Sequence, residues 1–98
     1  MIDTARAVPA ASQARGYLGP LAEALGRRGL LARVTRIGDG PRYVEVISRT
    51  APDLAESIFA VRADGEWWFW WSWAQRIGPA ADAEQAAAQI ARVLTAAA

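Results

Sequence analysis

The run Glu66-Trp67-Trp68-Phe69-Trp70-Trp71-Ser72-Trp73 holds all five tryptophans of the chain, and no other stretch restricts the fold as much. Successive side chains of a β-strand point to opposite sides of the sheet. Trp67, Phe69, Trp71 and Trp73 therefore share one face, and Trp68 and Trp70 stand on the other, between Glu66 and Ser72. Helices packed on a sheet bury one such face. The second must meet a partner, a ligand or another part of the chain, because a small domain rarely leaves that much contiguous apolar surface in water. The unbroken set, Trp67, Phe69, Trp71 and Trp73, reads as core.

The flanking sequence supplies the rest of a sheet. Leu30, Ala32 and Val34 alternate with Arg33 and Thr35, and Val44 and Val46 alternate with Tyr43, Glu45 and Ile47. Between them Gly38-Asp39-Gly40-Pro41 is a turn, and a three-residue loop there sets Val34 opposite Val44, Ala32 opposite Val46 and Arg33 opposite Glu45. Thr50-Ala51-Pro52-Asp53-Leu54-Ala55 interrupts the pattern, with room for one helical turn. A third strand, Ser57 to Ala63, then meets Asp64-Gly65, a strong two-residue hairpin signal. Closing on that turn pairs Arg62 with Trp67, Val61 with Trp68, Ala60 with Phe69, Phe59 with Trp70 and Ile58 with Trp71. Ile77-Gly78-Pro79 reads as the end of the sheet.

Two helices flank these strands. After a loose lead-in over residues 1–9, Tyr17, Leu18, Leu21, Ala24 and Leu25 recur at three- and four-residue spacing and make one apolar stripe. Gly16, Gly19 and Pro20 leave two forms open: one bent helix from Ala10 to Arg28, or a short helix from Gly19 with Pro20 in its first turn. Arg27 and Arg28 suit the negative end of the helix dipole, and Gly29 suits the position just past it. At the other end Asp82 is an N-cap with Gln85 three residues on, a capping box. It opens a helix over 83–95 whose buried stripe is Ala86, Ala87, Ile90, Val93 and Leu94. The expected fold is a single α+β domain over residues 1–98: a two-layer sandwich of about four antiparallel strands covered by N- and C-terminal helices.

Composition removes several functions. The chain lacks cysteine, histidine, lysine and asparagine, so it offers no disulfide framework, no thiolate or imidazole metal ligand, no Schiff-base lysine and no Walker-type phosphate lysine. No cofactor and no metal site is expected. The net charge of +1 comes from eleven arginines scattered among ten carboxylates, which is not the footprint of a duplex-binding protein. Met1-Ile2-Asp3 opens with an acid, Val8-Pro9-Ala10-Ala11 is short for an apolar leader, and Trp67 to Trp71 is far below the roughly 20 residues that span a bilayer. A cytoplasmic protein without membrane contact is expected. Catalytic residues are not: Asp39 and Asp64 sit in turns, Asp82 caps a helix, Glu45 faces Arg33, and no nucleophile elbow or phosphate loop occurs.

The candidate site is the reverse face of the sheet. Phe59, Val61, Trp68 and Trp70 form an apolar cluster there, with Tyr43 and Arg33 beside it. Residues 1–16 folded back over the cluster would hide it. The favoured reading is an interface for a second copy of the chain, a homodimer, or for another protein, since tryptophan brings large, stiff contact area at low entropy cost. The alternative is a small-molecule or peptide site in which Trp68 and Trp70 stack on the ligand or hold an unfolded segment as a chaperone does.

The half from Asp53 to Leu94 resembles small proteins of high-GC actinobacteria with no assigned function. Asp64-Gly65, the run ending in Trp71-Ser72-Trp73, Ile77-Gly78-Pro79 and the Ala-rich helix with Ile90, Val93 and Leu94 carry the resemblance. It implies a cytosolic protein and supplies no catalytic residue. The α-β-β-β-β-α order is also similar to that of dimeric secretion chaperones, which are typically acidic, as this chain is not.

Overall fold

The computed structural model describes residues 10–51 and 53–96; the lead-in over 1–9 lies outside them. Helix α1 spans Ala10–Arg27, the longer of the two forms the sequence allows. Leu18, Leu21, Ala24 and Leu25 are fully buried, and Pro20 stands inside the helix on its exposed side. An interior proline removes one helical hydrogen bond and costs about 3 kcal/mol. Burial of Leu18 and Leu21 on either side, roughly 1.5–3 kcal/mol each, offsets that cost and holds the helix continuous. The helix stops at Gly29, whose φ of 88° suits glycine. Its N–H donates to the Gly26 carbonyl (3.0 Å), and the Leu30 N–H donates to the Leu25 carbonyl (3.1 Å). This Schellman pair satisfies the last carbonyls and buries Leu30 at the entry to the sheet.

Strands β1 (Leu31–Thr35) and β2 (Tyr43–Ile47) pair antiparallel in the expected register, with Val34 opposite Val44, Ala32 opposite Val46 and Arg33 opposite Glu45. The ladder ends at Thr35–Tyr43 instead of closing on a three-residue loop. Pro41 has no N–H to extend it, and the Gly40 N–H turns to the Ile37 carbonyl at 3.0 Å. The next connection is a turn in which the Leu54 N–H meets the Ala51 carbonyl at 2.8 Å. Strand β3 then starts at Ala55, two residues before the expected Ser57, and runs to Ala63.

Asp64 and Gly65 have φ of 55° and 80°, the two consecutive positive values that a type I′ turn requires. Strand β4 (Glu66–Trp71) leaves this turn paired to β3 as expected: Arg62 with Trp67, Val61 with Trp68, Ala60 with Phe69, Phe59 with Trp70 and Ile58 with Trp71.

The chain departs from expectation after Trp71. Ile77-Gly78-Pro79 does not end the sheet but belongs to a fifth strand, β5 (Arg76–Pro79), on the free edge of β4. A tight turn makes the return: the Ala74 N–H donates to the Trp71 carbonyl (3.0 Å) and the Trp71 N–H to the Gln75 carbonyl (2.8 Å). Ala74 takes a φ of 65° to allow it. Pro79 is tolerated because β5 is an edge strand. The sheet is thus a five-stranded meander, β1-β2-β3-β4-β5, and the tryptophan strand lies inside it. The turn also carries Trp73 out of the sheet. Instead of being core, Trp73 is 48% exposed, stacked on Trp71 at 4.7 Å and 9°, with its indole N–H on Gln75 Oε1 (2.8 Å).

Helix α2 spans Ala83–Ala96. Asp82 Oδ1 accepts from the Gln85 N–H at 3.1 Å, which makes the expected N-cap. The reciprocal half of the capping box is absent, since the Asp82 N–H is taken by the Pro79 carbonyl (3.1 Å). Ala86, Ala87, Ile90 and Leu94 are buried; Val93, expected with them, is 49% exposed because it lies at the margin of a stripe already filled by Ile90 and Leu94. Both helices cover one face of the sheet and pack on each other, and Arg27 pairs with Glu84 between them. Phe69, Trp71, Ile58, Val44 and Val46 form the sheet side of the core. Among the described residues no helix is long and apolar enough to cross a membrane.

Two outcomes follow from this packing. Trp71→Ala should cost about 3–5 kcal/mol and leave little folded protein, whereas Trp73→Ala should cost about 1 kcal/mol; urea unfolding of the pair checks which of the two is core. Pro20→Ala should stabilise the chain by about 1–3 kcal/mol, read as a rise in thermal midpoint of roughly 4–8 °C per kcal/mol.

Candidate functional site

The face of the sheet turned away from both helices is set by the registers just given. Val44, Val46, Ile58, Phe69 and Trp71 are buried toward the helices, so Tyr43, Phe59, Val61, Trp68 and Trp70, one residue out of phase, lie on the outer face. The β3–β4 pairing sets Phe59 against Trp70 and Val61 against Trp68. Tyr43 joins them from β2, its ring centroid 5.2 Å from that of Phe59 and tilted by 35°, within the range favoured by aromatic pairs. Five of the six expected site residues thus form one cluster across three strands. Its rings are half-buried by one another, and Val61 is 44% exposed.

Arg33 is not in ring contact. Its Nε donates to Glu45 Oε1 at 3.1 Å, a cross-strand pair that forms a polar band beside the aromatic row. On the far side of that band Leu31 and Ile47 pair with each other, and Leu31 is 45% exposed. Residues 10–16 do not fold over the cluster; they belong to α1 on the opposite face, where Gln13 Oε1 accepts the Trp67 indole N–H at 3.2 Å.

A residue not singled out in the sequence, Arg76, completes the site. Strand β5 brings its guanidinium carbon to 4.3 Å from the Trp68 ring centroid and 5.0 Å from that of Trp70. A guanidinium at this range is held by the ring quadrupoles, worth about 0.5–2 kcal/mol. Asp64 Oδ2 stands 4.0 Å from the same guanidinium on an exposed carboxylate, an arrangement of little energetic weight. The one available signal for Arg76 was its alternation with Trp68 and Trp70, legible only if the strand pattern is carried across the turn.

Beneath this cap the Nε1 atoms of Trp68 and Trp70 are buried without a hydrogen-bond partner. Each unsatisfied donor costs about 1–3 kcal/mol, so the outer face combines exposed apolar surface with two unmet polar demands. Of the carboxylates, Glu45 is paired with Arg33, Glu84 with Arg27 and Asp64 with Arg76, and Asp82 caps α2. Among the described residues no group of three or more acids could hold a metal ion.

Arg76→Gln is expected to lower stability by about 0.5–2 kcal/mol, while Asp64→Asn, which keeps a turn-forming residue and removes only the exposed charge, is expected to change it by less than about 0.5 kcal/mol; chemical unfolding of both variants distinguishes ring stacking from charge pairing. No protein-family model, no curated protein and no solved structure matches this chain.

Proposed function

We propose that this protein is a non-catalytic interaction domain that self-associates through the outer face of its sheet, two copies meeting by a two-fold axis. The observation that carries this reading is the aromatic cluster of Tyr43, Phe59, Val61, Trp68 and Trp70, which no described element covers. A two-fold contact is self-complementary, so one apolar patch suffices to bury its own copy. The rings are held by the sheet and stiffened by Arg76, which lowers the entropy lost on association. Arg33 and Glu45 give the patch a polar border, as interface rims have.

Ligand stacking on Trp68 and Trp70 is the weaker reading, because Arg76 already lies against both rings. A planar ligand would have to displace it.

Light scattering over a dilution series should give a mass twice the chain's 10.5 kDa. Trp68→Glu and Tyr43→Arg should each yield folded monomer, with helix content unchanged by circular dichroism. A monomeric wild-type chain at high micromolar concentration, or variants that remain dimeric, would overturn the reading.

A further inference from the structure

The β3–β4 hairpin runs beyond the ends of β1 and β2, and the first turns of α1 cover the helix side of this overhang only in part. An open cavity of about 340 Å³ lies there, walled by Ala14, Pro41, Ala60 and Trp67, with Arg42 and Arg62 at its polar edge. A second hollow of about 440 Å³ is bounded by the same Trp67 and Arg62, together with Gln13 and Tyr17 of α1. Each falls in the lower part of the range taken by small-molecule sites.

The charge of this region sets it apart from the rest of the chain. Arginines and carboxylates are nearly equal in number overall, yet the two linings contain Arg42 and Arg62 and no acid. Arg33, Arg27 and Arg76 have carboxylate partners; Arg42 and Arg62 form no ion pair with a described residue. Two guanidinium forks at the edge of an apolar hollow match a carboxylate, which each can hold through paired N–H donors.

The apolar wall is rigid. Trp67 is anchored at its indole N–H by Gln13 Oε1 (3.2 Å) and braced by Tyr17, whose ring centroid is 5.8 Å away at 37°. Gln13 and Tyr17 are one helical turn apart and face the same ring. A flat ligand placed on Trp67 therefore meets a surface ordered before it arrives, which reduces the entropy lost on binding.

We propose that this hollow binds a small carboxylate with an apolar body, its carboxylate held by Arg42 and Arg62 and its body laid against Trp67 and Ala60. The site lies on the helix side of the sheet, opposite the proposed dimer face, so it stands or falls independently of self-association.

The test titrates 2-naphthoate and octanoate, and the neutral 2-naphthamide and octanamide, into the full chain while the backbone amide and indole N–H resonances are followed by NMR. At least one carboxylate should saturate in the micromolar-to-millimolar range and shift Trp67 and Gly65, with its amide about tenfold weaker or more, the loss expected for one charge-assisted pair. Arg62→Gln, at an exposed position, and Arg42→Gln, at a half-buried one, should each weaken binding about tenfold with the melting temperature unchanged. Failure of both carboxylates to saturate at 10-fold excess over ~1 mM protein would overturn the proposal. So would equal binding of acid and amide, or shifts confined to Trp68 and Trp70.

Discussion

The type I′ turn at Asp64-Gly65 fixes the relation on which the rest of the molecule depends. Two positive φ values set the β3–β4 register to the residue, and side chains alternate with a period of two. A slip of one position would send Phe69 and Trp71 to the outer face and Trp68 and Trp70 into the core. The core could not accept that exchange, because Ala60 is small where Phe69 is large and the buried leucines of α1 fill the remaining space. Local turn chemistry and long-range packing thus specify the same register, the agreement across levels that gives a sequence a single fold.

The second constraint is the need to finish the edge of an aromatic strand. An unpaired strand of tryptophans would present both a hydrogen-bonding edge and apolar side chains to other chains. The tight turn at residues 72–75 sends the backbone back along β4, and the short β5 covers the edge through an irregular register between Phe69 and Trp70. That irregularity lets Ile77 join the core while Arg76 reaches the opposite face and lies on Trp68 and Trp70. One four-residue strand therefore ends the sheet, contributes to the core and places a cation on the outer rings.

Two surfaces of different character result. The outer face is broad and aromatic, with a paired Arg33–Glu45 border, and is the face through which we propose self-association. The hollow beside Trp67 is smaller and has at its edge Arg42 and Arg62, which form no ion pair with a described residue. Both exist because the β3–β4 hairpin is longer than its neighbours. Near its tip α1 reaches it through Gln13 and Tyr17 on Trp67.

The α+β class, the two helices on one face, the Val34–Val44 and Phe59–Trp70 registers, the Gly29 stop and the Asp82 cap were all legible in the residues. Each rests on a local rule: period two or 3.6, turn residues with positive φ, or a side chain that satisfies its own backbone. Membership of the outer cluster was legible for the same reason, since alternation assigns Tyr43, Phe59, Val61, Trp68 and Trp70 to one side without further information. The fifth strand, the exposure of Trp73 and Val93, the ring contacts of Arg76 and the hollow under the hairpin were not. They depend on where the chain goes after Trp71 and how far α1 reaches along the sheet. Those questions are settled by competition among distant groups for the same edge and the same core volume, and no local pattern encodes the winner.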